Sequence, residues 1–243
     1  MRVRAAQPAS FLFVSIGIIF LILFGVVSLG VYTENNLFNS IDLTIIEVIQ
    51  SNVTDTKTIF LLGLTEIGNI RLVIILTIGL VIFLFTKKWY VAGLWFGGTI
   101  LFCAAFGTKV IKKVIDRTRP DILPLIEKTT ESFPSGHAAS ATIFYGLLGF
   151  SLILLTRTLW KRIVIGFLTS LLIGFILMSR IYLGVHFPSD VIAGFLYGLA
   201  VIFISIGVYQ FAHRQLQKVL KQLCITDQSV LFFKQRTREK TTI

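Results

Sequence analysis

Residues 179–190 read SRIYLGVHFPSD, and this stretch sits between two long uncharged apolar runs, 163–179 and 191–212. Each run approaches the roughly 20 residues that an α-helix needs to cross about 30 Å of hydrocarbon. An arginine, a histidine and an aspartate are costly beside lipid, so their place at the seam marks a membrane boundary where the chain turns back. Pro188 suits the first turn of the second helix, where its missing N–H costs little. His186 then lies just outside that helix and Asp190 within its first turn, four residues on.

Three further uncharged runs, 11–31, 89–108 and 138–156, have the same character. Residues 72–86 form a shorter apolar run whose outer end is polar, because Glu66 and Arg71 interrupt the stretch before it. The 243 residues are 55% hydrophobic and 14% charged, with a mean hydropathy of +0.84. That profile excludes an ordinary soluble domain. The expectation is an all-α polytopic bundle of six transmembrane helices over residues 1–212, followed by a basic cytoplasmic tail, 213–243. The opening MRVR and its apolar run are too long for a secretory leader, so they read as a retained first helix. Cys103 and Cys224 have no paired spacing, which supports neither a disulfide framework nor a zinc site.

Loop charges set the orientation. Lys87 and Lys88, then Arg157, Lys161 and Arg162, close short loops, while Arg2 and Arg4 precede the first helix. The positive-inside rule puts these loops and both termini in the cytoplasm, with most of the 23 Lys and Arg residues. The exceptions are concentrated: Lys109, Lys112, Lys113, Arg117 and Arg119 crowd one outer segment, and Arg180 ends the fifth helix. A loop that breaks the rule so heavily is suited to holding an anion; the alternative is a solvated basic loop touching lipid headgroups.

Two segments read as helices lying in the membrane surface. In residues 41–50, Ile41, Ile45, Val48 and Ile49 share a helical face, with Asp42 and Glu47 elsewhere. In the tail, Leu216, Val219, Leu220 and Leu223 alternate with Arg214, Lys218 and Lys221, a pattern that favours anionic lipids. Gly93-x-x-x-Gly97 and Gly194-x-x-x-Gly198 fall inside spans, where such spacing lets helices approach closely.

Three clusters then fall at the same outer face. In KKVIDRTRPD, 112–121, Lys112 and Arg119 are about two helical turns apart and share a face if the segment is helical until Pro120. The Arg119 guanidinium suits bidentate contact with phosphate. In ESFPSGHAAS, 131–140, Ser135 is a natural N-cap, Gly136 permits close backbone approach, and the first-turn N–H groups form an anion site beside His137. In the opening stretch, Asp190 can reach back to His186 and fix its tautomer, leaving Nε2 as a nucleophile, while Arg180 adds a cation.

Taken together, the candidate catalytic residues are His186, His137 and Asp190, and the candidate phosphate-binding residues are Lys112, Arg119, Ser135, Gly136 and Arg180. Phosphate-ester cleavage needs charge stabilisation, an in-line nucleophile and a proton for the leaving alkoxide, and this inventory supplies each. His186 would attack phosphorus, and His137 would protonate the leaving oxygen and then activate water. No carboxylate cluster suited to magnesium appears on this face, so no metal or other cofactor is expected.

At these residues the chain resembles the type 2 phosphatidic acid phosphatase family. Lys112 to Pro120 match its Lys-x6-Arg-Pro signature, Pro134 to His137 its Pro-Ser-Gly-His, and Ser179, Arg180, His186 and Asp190 its Ser-Arg-x5-His-x3-Asp. The resemblance implies a metal-independent, multi-pass plasma-membrane hydrolase of the compact bacterial kind. It would act at the extracytoplasmic face on lipid phosphate monoesters or diphosphates through a phosphohistidine. Phosphatidylglycerol phosphate or phosphatidate is favoured, and undecaprenyl pyrophosphate comes next. Its partners would be that lipid substrate and membrane lipids, with no nucleic acid. A lipid phosphotransferase shares the same motifs. A transporter with a basic vestibule would share the spans but would not need His186 and Asp190 at this spacing. The related vanadium haloperoxidases are soluble, which sets them apart.

Overall fold

The computed structural model of the chain describes residues 7–126 and 129–229, and all regular structure among them is helical. Arg2, Arg4 and the basic residues beyond 229 lie outside the described residues. Nine α-helices occur among the described residues: α1 Gln7–Tyr32, α2 Asn36–Gln50, α3 Asp55–Glu66, α4 Ile70–Thr86, α5 Tyr90–Thr99, α6 Thr108–Ile115, α7 Gly136–Leu155, α8 Leu159–Tyr182 and α9 Pro188–Gln222. A π-helical segment, Ile100–Gly107, joins α5 to α6 in one continuous rod.

Five of these rods are long and apolar enough to cross a membrane, and α3 with α4 makes a sixth, bent by 43° at Ile67–Asn69. The bend has local causes. Asn69 caps the new helix start, its side chain accepting from Arg71 N (3.1 Å). Gly68 allows the break to lie flat on α8, since a Cβ there would stand 2.6 Å from Ile176 Cγ2. The short apolar run of the sequence is therefore the second arm, α4, of a longer, broken span.

Helix α7 is the axis of the bundle, with α9, α8, α4 and the π segment around it. Val73, Phe96, Ile100, Ile143, Phe144, Leu147, Ile202 and Ile206 form the main core. Lipid gives no hydrophobic drive between helices, so close packing of small residues carries the association. A Cβ on Gly194 would lie 2.6 Å from Ser135 O, and one on Gly198 2.6 Å from Thr142 Cβ. The Gly194-x-x-x-Gly198 pair thus seats α9 on the start of α7, while Gly93 and Gly97 face Phe85 and Val81 of α4. The Tyr197 hydroxyl donates to Cys103 O (2.9 Å) against Gly107, and this inserted side chain accounts for the widened π turn.

The structure corrects two expectations. The α6 helix stops at Ile115 because Asp116 turns left-handed (φ 49°), so Arg119 lies in the following loop and not on a helix face with Lys112. Residues 214–222 form no separate surface helix; α9 runs unbroken to Gln222, since no proline interrupts it. Helix α2, by contrast, is compatible with its expected face pattern: Ile41 and Val48 are exposed, while Asp42 and Ile46 turn inward.

Replacing Gly194 with valine forces α9 off α7 and is expected to cost about 1–3 kcal/mol, read as a lower Tm in detergent. Gly79→Ala, where an added Cβ meets nothing within 4 Å, is expected to be neutral or stabilising. Equal stability of Gly194→Val and the parent would contradict the close α7–α9 contact.

Candidate active site

The three motifs meet at one end of the bundle, around the first turns of α7 and α9. Ser135 caps α7, its Oγ accepting from Ala138 N (3.4 Å), and its own N–H donates to Asp190 O (3.0 Å). Gly136 opens onto free space, so the first turn of α7 presents backbone to that side without a side chain in the way. His137 follows in the same turn and is half-buried. Pro188 starts α9, and Asp190 bonds back to Phe187 N through Oδ2 (2.9 Å), satisfying a first-turn donor.

His186 is 2% exposed and Asp190 fully buried. Nδ1 of His186 stands 3.6 Å from Asp190 Oδ2, at ion-contact distance but long for a hydrogen bond. Ser132 fills the gap: its Oγ lies 3.3 Å from His186 Nδ1 and donates to Asp190 Oδ2 at 2.5 Å. On the other side of the ring, Arg119 Nη1 is 3.4 Å from His186 Nε2. A guanidinium only donates, so Nε2 carries the lone pair and the proton sits on Nδ1, which donates to Ser132. Burial pushes the His186 pKa down to about 3; Asp190 pulls it up, and Arg180 and Arg119 push it lower again. The ring is neutral at physiological pH.

The cations divide into two kinds. Arg117 is neutralised by two carboxylates, Asp190 Oδ1 at 2.7 Å and Asp42 Oδ2 at 2.9 Å, and it stacks on Phe187 at 3.9 Å. Lys112, Arg119 and Arg180 have no carboxylate in ion-pair range among the described residues. Lys112 Nζ donates to the carbonyls of Glu131 and Ser132, the latter at 3.3 Å. Arg119 donates to Thr130 O (2.7 Å), Thr130 Oγ1 (3.0 Å), Glu131 O (3.3 Å) and Val185 O. Burial also lowers the pKa of Arg119. Arg180 is 2% exposed, donates to Thr65 Oγ1 (2.8 Å), and keeps a buried Nε with no partner among the described residues. Lys109 and Lys113 point to the surface and stay out of the site.

All eight sequence-derived residues thus belong to segments that meet at this end. Lys112 and Arg119 converge because the loop folds both onto Glu131. Sequence reasoning missed Ser132, Asp42, Thr65 and Ser189, and it gave Arg117, beside the chosen Arg119, no role of its own. The one available signal was Asp42, a carboxylate in a helix with an otherwise apolar periodicity.

The sequence profile of the PAP2 superfamily matches residues 92–214, half of the chain and all three motifs. Phosphatidylglycerophosphatase B of Bacillus subtilis (strain 168) is 34% identical over 167 residues, 64% of this chain and 77% of that protein. An undecaprenyl-diphosphatase of Sulfolobus acidocaldarius is 39% identical over 80 residues, 33% of this chain and 34% of the relative. Among solved structures, a transmembrane PAP2 type phosphatidylglycerolphosphate phosphatase from Bacillus subtilis superposes with a TM-score of 0.67 at 27% identity, covering 81% of this chain and 96% of its own. With the profile over half its length and the helical frame in common, the chain belongs to the PAP2 superfamily.

Proposed function

We propose that this membrane phosphatase hydrolyses a lipid phosphate through a phosphohistidine on His186, with phosphatidylglycerol phosphate or phosphatidate as the favoured substrate. The observation that carries the reading is the placement of His186, with Arg119 Nη1 3.4 Å from Nε2 and Ser132 Oγ 3.3 Å from Nδ1, which favours a neutral imidazole with its lone pair toward the cations. Such a nitrogen is a nucleophile without prior deprotonation.

Lys112, Arg119, Arg180 and the first-turn N–H groups beside Ser135 and Gly136 bind the phosphate oxygens and offset the charge that spreads over them in the transition state. Nε2 attacks phosphorus, the P–O bond to the lipid breaks, and His137 gives its proton to the departing alkoxide. The His186 ring becomes cationic while keeping its Nδ1 proton, and Asp190, partly through Ser132, stabilises that charge. In the second step His137 takes a proton from water, the hydroxide attacks phosphorus, the N–P bond breaks, and inorganic phosphate leaves.

The substrate preference rests on the relative named phosphatidylglycerophosphatase B, which this chain matches over most of its length. A lipid diphosphate is the second reading, supported by the likeness to an undecaprenyl-diphosphatase over 80 residues. Transfer of phosphate to another lipid is the third, since an acceptor hydroxyl in place of water meets the same His137. For sidedness, Lys87, Lys88, Arg157, Lys161 and Arg162 lie at loops opposite the active-site end, which supports both termini in the cytoplasm and an extracytoplasmic site. The domain reading follows: a six-helix phosphatase domain to residue 212 and a basic tail, 213–243, in the cytoplasm.

Three outcomes are expected. Detergent-purified protein releases phosphate from phosphatidylglycerol phosphate with chelator present, and His186→Ala lowers the rate about a thousandfold or more. Chelator-sensitive release, or a rate retained by the mutant, would contradict the mechanism. In NMR of ring-labelled protein, the His186 ring stays neutral between about pH 8 and pH 5, whereas a midpoint near the ordinary value of about 6.5 would contradict its burial. The sign is fixed by a folded pKa below the unfolded one: the stability His186 contributes above about pH 6.5 is lost as pH falls toward about 3. Thr129→Cys, with Cys103 and Cys224 replaced by serine, reacts with an impermeant thiol reagent in intact cells; labelling only after lysis would reverse the topology.

A further inference from the structure

The surface helix α2 contributes a residue that no active-site motif contains. Asp42 is 1% exposed, and both of its oxygens are committed to the start of α9 or to the cation beside it. Oδ1 accepts from Ser189 N (2.8 Å); Oδ2 accepts from Ser189 Oγ (2.6 Å) and Arg117 Nη2 (2.9 Å). Arg117 in turn donates through Nη1 to Asp190 Oδ1 and to Ser189 Oγ, both at 2.7 Å. The guanidinium therefore bridges two buried carboxylates from different helices in a fixed fork geometry.

We infer that Asp42 is a positioning residue for Asp190, acting through Arg117 and Ser189. The inference rests on the phosphohistidine reading, because its consequence is electrostatic. Asp190 stabilises the cation that forms on His186, yet it is itself held at 2.7 Å by a full positive charge. Alone, that pair is neutral and offers His186 little. Asp42 supplies a second negative charge to Arg117, so the trio Asp42, Arg117 and Asp190 carries one net negative charge into the water-poor site. Asp42 also accepts a first-turn N–H of α9, which fixes the turn from which Asp190 projects. Its hydrogen-bond partners among the described residues are Arg117 and Ser189, not His186 or the motif cations, so its loss acts on the chemical step rather than on phosphate binding.

The test is a set of kinetic cycles on a short-chain phosphatidate, with Asp42→Asn, Asp190→Asn and the double variant compared with the parent. Asp42→Asn is expected to lower kcat about tenfold with KM changed less than about twofold, because only transition-state charge is lost. In the Asp190→Asn background the same substitution is expected to change kcat less than about twofold, since residues that act as one unit are not additive. If Asp42→Asn does not fold, Arg117→Lys, which keeps the charge but cannot bridge both carboxylates, takes its place in the same cycle with the same expectation. An unchanged kcat, a rise in KM alone, or fully additive losses would overturn the inference while leaving the phosphatase reading intact. Absence of phosphate release from the parent on every lipid phosphate would overturn that reading, and the inference with it.

Discussion

A buried carboxylate needs several donors to remain charged, and Asp190 draws them from segments far apart in the chain. Ser132 reaches it from the loop before α7, Arg117 from the loop after α6, and Phe187 N from its own turn, with His186 at ion-contact distance. Its backbone carbonyl also accepts from Ser135, the cap of α7. Meeting these demands brings the three motif segments together, and the seating of Gly194 on Ser135 provides the close helix contact that they require. The active-site geometry is in this sense a consequence of keeping one charge buried at the end of an apolar bundle.

The same economy governs the cations. Five basic residues follow one another between Lys109 and Arg119, but they do different work. Lys109 and Lys113 face outward, Arg117 is spent on Asp42 and Asp190, and Lys112 and Arg119 hold backbone carbonyls around a histidine. Carbonyl partners neutralise no charge, so Lys112, Arg119 and Arg180 leave a positive field that suits a phosphate. Arg180 sharpens this: a guanidinium buried to 2% exposure, held among the described residues by one threonine hydroxyl and left there with a spare N–H, is costly unless an anion shares the site.

Much of this was legible in the sequence because the membrane imposes a strict code. Uncharged runs of fixed length gave the spans, and Pro188 with Asp190 four residues after His186 gave the turn that ends the first of the closing two helices and starts the next. What periodicity could not give were the contacts made across loops. Lys112 and Arg119 do converge, but through a left-handed turn at Asp116 and a folded loop, which helical spacing cannot describe. Asp42 was read as the polar side of a surface helix, whereas its real partners lie 75 and 147 residues away. The broken second span was visible only as a short apolar run with Glu66 and Arg71 before it, because a bend set by one cap, Asn69, and one glycine, Gly68, leaves hydropathy nearly unchanged.

The account turns on covalent bonding of phosphate to His186, and rapid acid-free quenching of turnover with radiophosphate-labelled lipid tests this directly. We expect label on the peptide that contains His186, stable in base and released in acid, rising and decaying at rates compatible with kcat. Turnover with no protein-bound label at any quench time, together with phosphate release in one step, would mean that water attacks the lipid phosphate directly and that His186 is not the nucleophile.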